Sequence, residues 1–182
     1  MSDSKALEEF TPPAPEWLSA GTWYITHSTL PLWSSKRNVT VTYKHLSPAS
    51  NGVPRLDDMV TYQTLTSNKV KTVHGIDTAS GLKNTGEWNW KGKGMLSLVS
   101  SHWAILSYGG VEGGEQWAVT YFMKTMFTPA GIDIYSRSRD GLSAETVKHI
   151  KEALSEVQDR NIRELAGVMF EVLQDWSDQG EL

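Results

Sequence analysis

Five histidines, His27, His45, His74, His102 and His149, are the side chains of this sequence able to move a proton near neutral pH without help from burial. No two of them stand at H-x-H, H-x-x-x-H or H-E-x-x-H spacing, so no metal site is expected from local sequence. Cysteine is absent, which removes disulfides, thiolate ligands and a cysteine nucleophile. There is no G-x-S-x-G elbow and no P-loop signature. The run "WKGKGM" sets two glycines beside Lys91 and Lys93, but no helix pattern follows it, so it reads as a tight turn rather than a phosphate cradle. Asp77 and Asp133 are the carboxylates singled out on strand-like runs. Both are expected to face outward, which speaks against paired-carboxylate hydrolysis.

The remaining candidates for acid–base or hydrogen-bonding work are His27, His45, His74 and Tyr43. In "NVTVTYKHL", Val39, Val41, Tyr43 and His45 alternate onto one face. In "KVKTVHGID", Val70, Thr72, His74 and Ile76 do the same. Counting by twos from Trp23 places Ile25 and His27 with it. Each histidine either satisfies one hydrogen bond in a packed wall or meets the polar group of a ligand. The aromatic residues Tyr43, Trp88, Trp90, Trp117 and Tyr121 carry the same two readings: bulky core, or walls for a flat molecule.

The elements that must position these residues are mostly strands. Between Gly21 and Arg139, β-branched and apolar runs are broken by "SPASNGVP", "TSNK", "DTASGLKNTG", "WKGKG", "GGVEGG" and "TPAG". Eight strands are predicted, over 21–29, 38–46, 57–66, 69–77, 85–91, 101–109, 116–127 and 131–138. The facing of 57–66 and 101–109 is left open. After Leu142 the period changes. Ser143 is a candidate N-cap, and Val147, Ile150, Leu154 and Val157 then recur at helical spacing. Ile162, Leu165, Met169, Val172, Leu173 and Trp176 extend a helical stripe, as one helix broken near "DRN" or as two.

The organisation expected is a flexible lead over 1–17, rich in proline, a barrel domain over 18–142, a helical segment over 143–177 packed on it, and a short tail over 178–182. The 182 residues carry 17 basic and 21 acidic side chains, a net charge of −4 without charged blocks, which offers no footprint for nucleic acid or an anionic membrane. No apolar run resembles an export signal or a membrane span, so a cytoplasmic protein is expected.

Two segments carry a family resemblance. Gly21-Thr22-Trp23 resembles the G-x-W that opens the first strand of the lipocalin-like (calycin) superfamily. "IDIYSRSRDGLSAETVKHIKEAL" resembles that superfamily's last strand, closing arginine and external helix. The resemblance spans about 18–158. The superfamily's T-D-x-x motif is not recognisable, and "SYGGVEGGEQW" occupies its place. The resemblance implies an all-β fold with a C-terminal helix: an eight-stranded antiparallel up-and-down β-barrel. Gly21, Trp23 and Arg137 (or Arg139) would close its floor. Ile25, His27, Val41, Tyr43, His45, His74, Trp88, Trp90, Trp117 and Tyr121 would then line a cavity for a small hydrophobic or aromatic ligand. The protein would be a binding protein or, alternatively, a cofactor-free cyclase or isomerase of secondary metabolism. No cofactor is expected, and the C-terminal helix offers a face for a homodimer.

Overall fold

The computed structural model describes residues 10–110 and 113–176. Most of the expected lead, the expected tail and position 177 lie outside the described residues. Eight long strands form one antiparallel meander: β1 (Thr22–Ser28), β2 (Lys36–Leu46), β3 (Arg55–Thr64), β4 (Ser67–Ala79), β5 (Glu87–Gly92), β6 (Ser100–Gly109), β7 (Trp117–Phe122) and β8 (Gly131–Ser136). β1 pairs with both β2 and β8, so the sheet closes into a barrel without free long edges.

The closed end is sealed from below. Helix α1 (Pro15–Ser19) lies across it, beginning in the stretch over 1–17 expected to be a flexible lead. Trp23 is fully buried there, and its Nε1 donates to the Leu18 carbonyl at 2.8 Å. The Arg137 guanidinium stacks 3.6 Å from the centre of the Trp23 ring and donates to the Leu18 carbonyl at 3.1 Å and to that of Trp17. Residues 10–13 continue the seal: Phe10 meets Tyr108 edge-on, and the Tyr108 hydroxyl donates to the Thr11 carbonyl.

Helices α2 (Ala144–Glu156) and α3 (Arg160–Gly167) cover the outer face of β7 and β8. The Ser143 hydroxyl caps α2 by accepting from the Thr146 N–H at 3.2 Å, and Asp159 caps α3. Ile150 and Leu154 of α2 bury against Val119, Ile132 and Ile134. β8 is therefore buried on both sides, and every one of its residues is inaccessible.

The helical stripe expected to run on to Trp176 stops at Gly167. The chain beyond it becomes an extended strap instead. A short strand, β9 (Phe170–Glu171), pairs with β1 at His27 and Ser28. The strap then sits over the seam between β1 and β2, where direct pairing reaches only from Thr22–Tyr24 to Thr40–Thr42. The cause lies in two irregularities. β1 carries a bulge at Thr26, and β2 one at Asn38, whose φ of 53° is left-handed. The freed backbone groups bond the strap: Val172 N–H to the Thr26 carbonyl at 2.9 Å, Asn38 N–H to the Leu173 carbonyl at 2.8 Å. Gln174 Nε2 donates to the Ile25 carbonyl at 2.8 Å, and Val172 buries into the barrel core. Among the described residues no helix is long and apolar enough to cross a membrane.

Candidate functional site

The barrel holds an interior cavity of about 280 Å³, opening toward the β1–β2, β5–β6 and β7–β8 connections. Its rim is set by Leu30, Leu32 and Trp33 on one side and by Val99, Thr125 and Phe127 on the other. Trp90, Trp103, Phe122, Tyr43 and Tyr135 face its interior, along with Ile25, Val41, Val60 and Val73. Trp103 is the centre of this aromatic wall. Its ring stacks near those of Tyr43 (5.8 Å between centroids), Phe122 (6.1 Å) and Trp88 (6.2 Å).

Trp90 has room because β4 offers a glycine diagonally across from it, two residues from its register partner Asp77. A Cβ at Gly75 would stand 2.2 Å from Trp90 Nε1, so the indole lies directly on bare backbone. The same glycine fixes the facing of β4. Val73, Gly75 and Asp77 point inward, and Val70, Thr72, His74 and Ile76 point outward, the reverse of the expectation from sequence.

The polar groups of this interior are carboxyls and phenols. Asp58 on β3 lines the cavity; Asp77 on β4 is fully buried beside it. The two carboxyls stand within hydrogen-bonding reach of each other, and Asp77 Oδ1 accepts from Trp103 Nε1 at 2.8 Å. Asp133 on β8 accepts from the Ser28 hydroxyl and, at 3.3 Å, from Trp33 Nε1. Burial pushes the Asp77 and Asp133 carboxyls up to about 7 each, against the pull of those donors. Asp58 is pushed well above the carboxylate range by burial and by the neighbouring Asp77 charge. The Tyr43 and Tyr135 hydroxyls meet at 3.4 Å, and burial raises both phenols, so they stay neutral. The expectation that Asp77 and Asp133 face water is thus corrected: both are on the inner wall side and out of contact with solvent.

Of the residues expected to line the cavity, Ile25, Val41, Tyr43 and Trp90 do so. Trp88 is buried beneath, stacked on Trp103 but not on the cavity surface. The histidines are placed elsewhere. The bulge at Thr26 adds one residue to β1, which turns His27 out and Ser28 in toward Asp133. His27 faces a surface groove shared with Glu171 and Arg139, and burial followed by the Lys151 charge lowers its pKa. His45 follows the inward parity of β2, but the strand has by then run past the barrel wall, and the ring is exposed. His74 lies on the outer surface, 2.9 Å from Asp57, which also takes Lys93 at 2.6 Å. Trp117 and Tyr121 share the outer face of β7 with Val119, under the helices. Their apolar alternation reports burial by α2, not burial in the barrel. His149 of α2 is exposed at the edge of the outer cleft between α2 and β6–β7. Among the described residues, no group of three or more His, Cys, Asp or Glu side chains is placed to hold a metal ion.

Asp58, Tyr135 and Trp103 are the residues of the site that reading by strand alternation passed over, and Asp77 and Asp133 are the ones it turned outward. Two signals pointed to three of these five. Counting back by twos from Arg137 reaches Tyr135 and Asp133; Leu56, Val60 and Tyr62 share the parity of Asp58.

No protein-family model matches the chain. In fold it is similar to apocrustacyanin C1 (TM-score 0.61, 15% identity, covering 90% of this chain and 82% of that one). It is also similar to a biogenic amine-binding protein (0.56, 12%, 90% and 83%) and to the siderocalin Ex-FABP (0.53, 15%, 87% and 95%). Together with the closed barrel, these likenesses make the fold lipocalin-like. In sequence it is 30% identical over 177 residues to the "Botcinic acid biosynthesis cluster B protein 12" of Botryotinia fuckeliana (strain B05.10), an alignment covering 92% of this chain and 78% of that protein. At that identity and coverage, the chain belongs to the same family as this biosynthesis-cluster protein, on a lipocalin-like calycin fold.

Proposed function

We propose that the barrel is a receptacle for a small, largely apolar molecule of secondary metabolism, held in the interior cavity between aromatic walls. The observation that carries this reading is the cavity itself: about 280 Å³, faced by Trp90, Trp103 and Phe122, with polar groups confined to a few fixed positions. Burial of apolar ligand surface supplies affinity at about 25 cal/mol per Å² before the costs of association. The relative named for a biosynthesis cluster supports the metabolic setting. Native mass spectrometry of gently purified protein tests it. Retention of a small organic molecule, lost when Trp103 is replaced by Ala in a folded variant, supports the receptacle. Protein that neither retains nor takes up any apolar compound speaks against it.

The carboxyls favour a second reading, a cofactor-free tailoring enzyme of the cyclase or isomerase type. An acid–base group works best when it titrates near the working pH, and Asp133 on the cavity wall is pushed up to about 7. The acid–base groups of such an enzyme would be these carboxyls and Tyr43, not the histidines. Release of the retained molecule unaltered supports the receptacle alone; its conversion on incubation with fresh protein supports the enzyme.

A further inference from the structure

Asp58 and Asp77 put two carboxyls in contact inside an apolar barrel. Asp58 Oδ1 and Asp77 Oδ2 are both buried and meet no ordinary donor among the described residues. Two carboxylates cannot share such a place; as neutral acids they carry two O–H groups, that of Asp77 turned to Asp58 and that of Asp58 left for the cavity. Among the described residues, the groups facing the pair offer no compensating cation on the inside. Tyr43 lies directly across from Asp58 on β2, Tyr135 reaches it from β8, and Trp103 donates to Asp77 from β6. Asp57 and His74 act on it only from the outer surface, where Lys93 is already paired with Asp57. Arg137 is held at the floor, stacked on Trp23 with Nη2 on two carbonyls and its unpartnered Nη1 beside Gly21, and it is not among the charges acting on the pair. A buried acid with no cation within reach is kept as the neutral acid, and a neutral carboxyl is a hydrogen-bond donor.

That donor is set beside a flat wall. Asp58 pairs in register with Gly75, and Trp90 lies on Gly75. Asp58 is the member of the pair that lines the cavity. A planar, unsaturated group resting on Trp90 would bring its polar atom to the Asp58 carboxyl, and that atom must accept a hydrogen bond.

We propose that the Asp58–Asp77 pair is the cavity's recognition element for a carbonyl oxygen, so that the ligand is an apolar ketone, ester or lactone bound by donation from Asp58. This rests on the reading of the barrel as a receptacle. Tyr43, across the strand pair from Asp58, bounds the same polar corner.

The test compares three probes of one skeleton by titration calorimetry: naphthyl methyl ketone, ethylnaphthalene and naphthylethylamine. At about pH 6 the ketone binds about tenfold more tightly than the hydrocarbon, the scale of one buried hydrogen bond made or left unmade. The preference shrinks as pH rises through about 7, where Asp77 ionises and draws the Asp58 O–H to itself. In Asp58→Leu the ketone falls to the affinity of the hydrocarbon. A reading independent of any variant is the infrared carbonyl stretch of the bound ketone, which moves to lower frequency on hydrogen bonding. Equal affinity for ketone and hydrocarbon, an unshifted carbonyl band, or strongest binding of the amine overturns the proposal and leaves the receptacle standing. Failure of all three probes to bind overturns the receptacle reading and the proposal together.

Discussion

Asp133 gives the sharpest thermodynamic prediction. It is 1% exposed, and burial lifts its carboxyl from 3.8 to about 7 in the fold. A raised carboxyl pKa means that the folded state binds the proton more tightly than the unfolded chain. The associated stability is complete below the unfolded value of 3.8, declines as pH rises, and is gone above about 7. The span corresponds to about 4 kcal/mol for this one group, an upper figure because local relaxation and water entry reduce it. Asp77, also pushed up to about 7, acts in the same direction. His27 acts in the opposite sense over a narrow range below 6.5, since its lowered pKa makes the fold gain stability as pH rises there. The perturbation is therefore Asp133→Asn, compared with the unaltered protein at each pH. The amide oxygen can still accept from the Trp33 N–H while its NH2 donates to the Ser28 hydroxyl oxygen, and the group cannot ionise. Urea unfolding followed by tryptophan fluorescence between about pH 5 and about pH 8 should show stability falling with pH in the unaltered protein, and falling less in the variant by about 2–4 kcal/mol. Parallel pH profiles for the two proteins, or stability that rises with pH in the unaltered one, would refute the placement of Asp133 as a buried acid.

Three further outcomes follow from the packing. Trp23→Ala should lower unfolding free energy by about 3–5 kcal/mol, because it opens the floor and leaves Arg137 without its stacking partner; urea melts measure this. Gly75→Ala should drive the Trp90 indole into the cavity and weaken uptake of an apolar probe about tenfold or more, read by calorimetry on a variant whose circular dichroism is unaltered. His27→Ala should leave cavity binding unchanged, since the side chain lies outside the barrel; a clear loss of affinity would contradict the bulge at Thr26.

Much of the container was legible in the chain. Alternation in "NVTVTYKHL" and "GEWNWK" placed Val41, Tyr43 and Trp90, because a strand with one buried and one wet face writes its facing into its sequence. The capped helix after Ser143 was legible for the same reason at helical period. Alternation failed where both faces are covered. Trp117 and Tyr121 are apolar because α2 lies over them, and no count along β7 separates that cover from the barrel core.

By itself, then, the sequence determined the kind of structure: strands, turns, a closing Gly-x-Trp and an outer helix, all set by local period and by residues up to a few positions apart. Only the tertiary structure decided what the interior contains. One extra residue at Thr26 exchanged His27 for Ser28, and one glycine that admits Trp90 went with a reversed facing of β4. Those choices brought Asp58, Asp77 and Asp133, from three strands, into one apolar space. Register and bulges follow from the energy of the whole closed sheet. The chemistry of the cavity, a small set of buried acids in place of histidines, was therefore fixed only when the barrel closed.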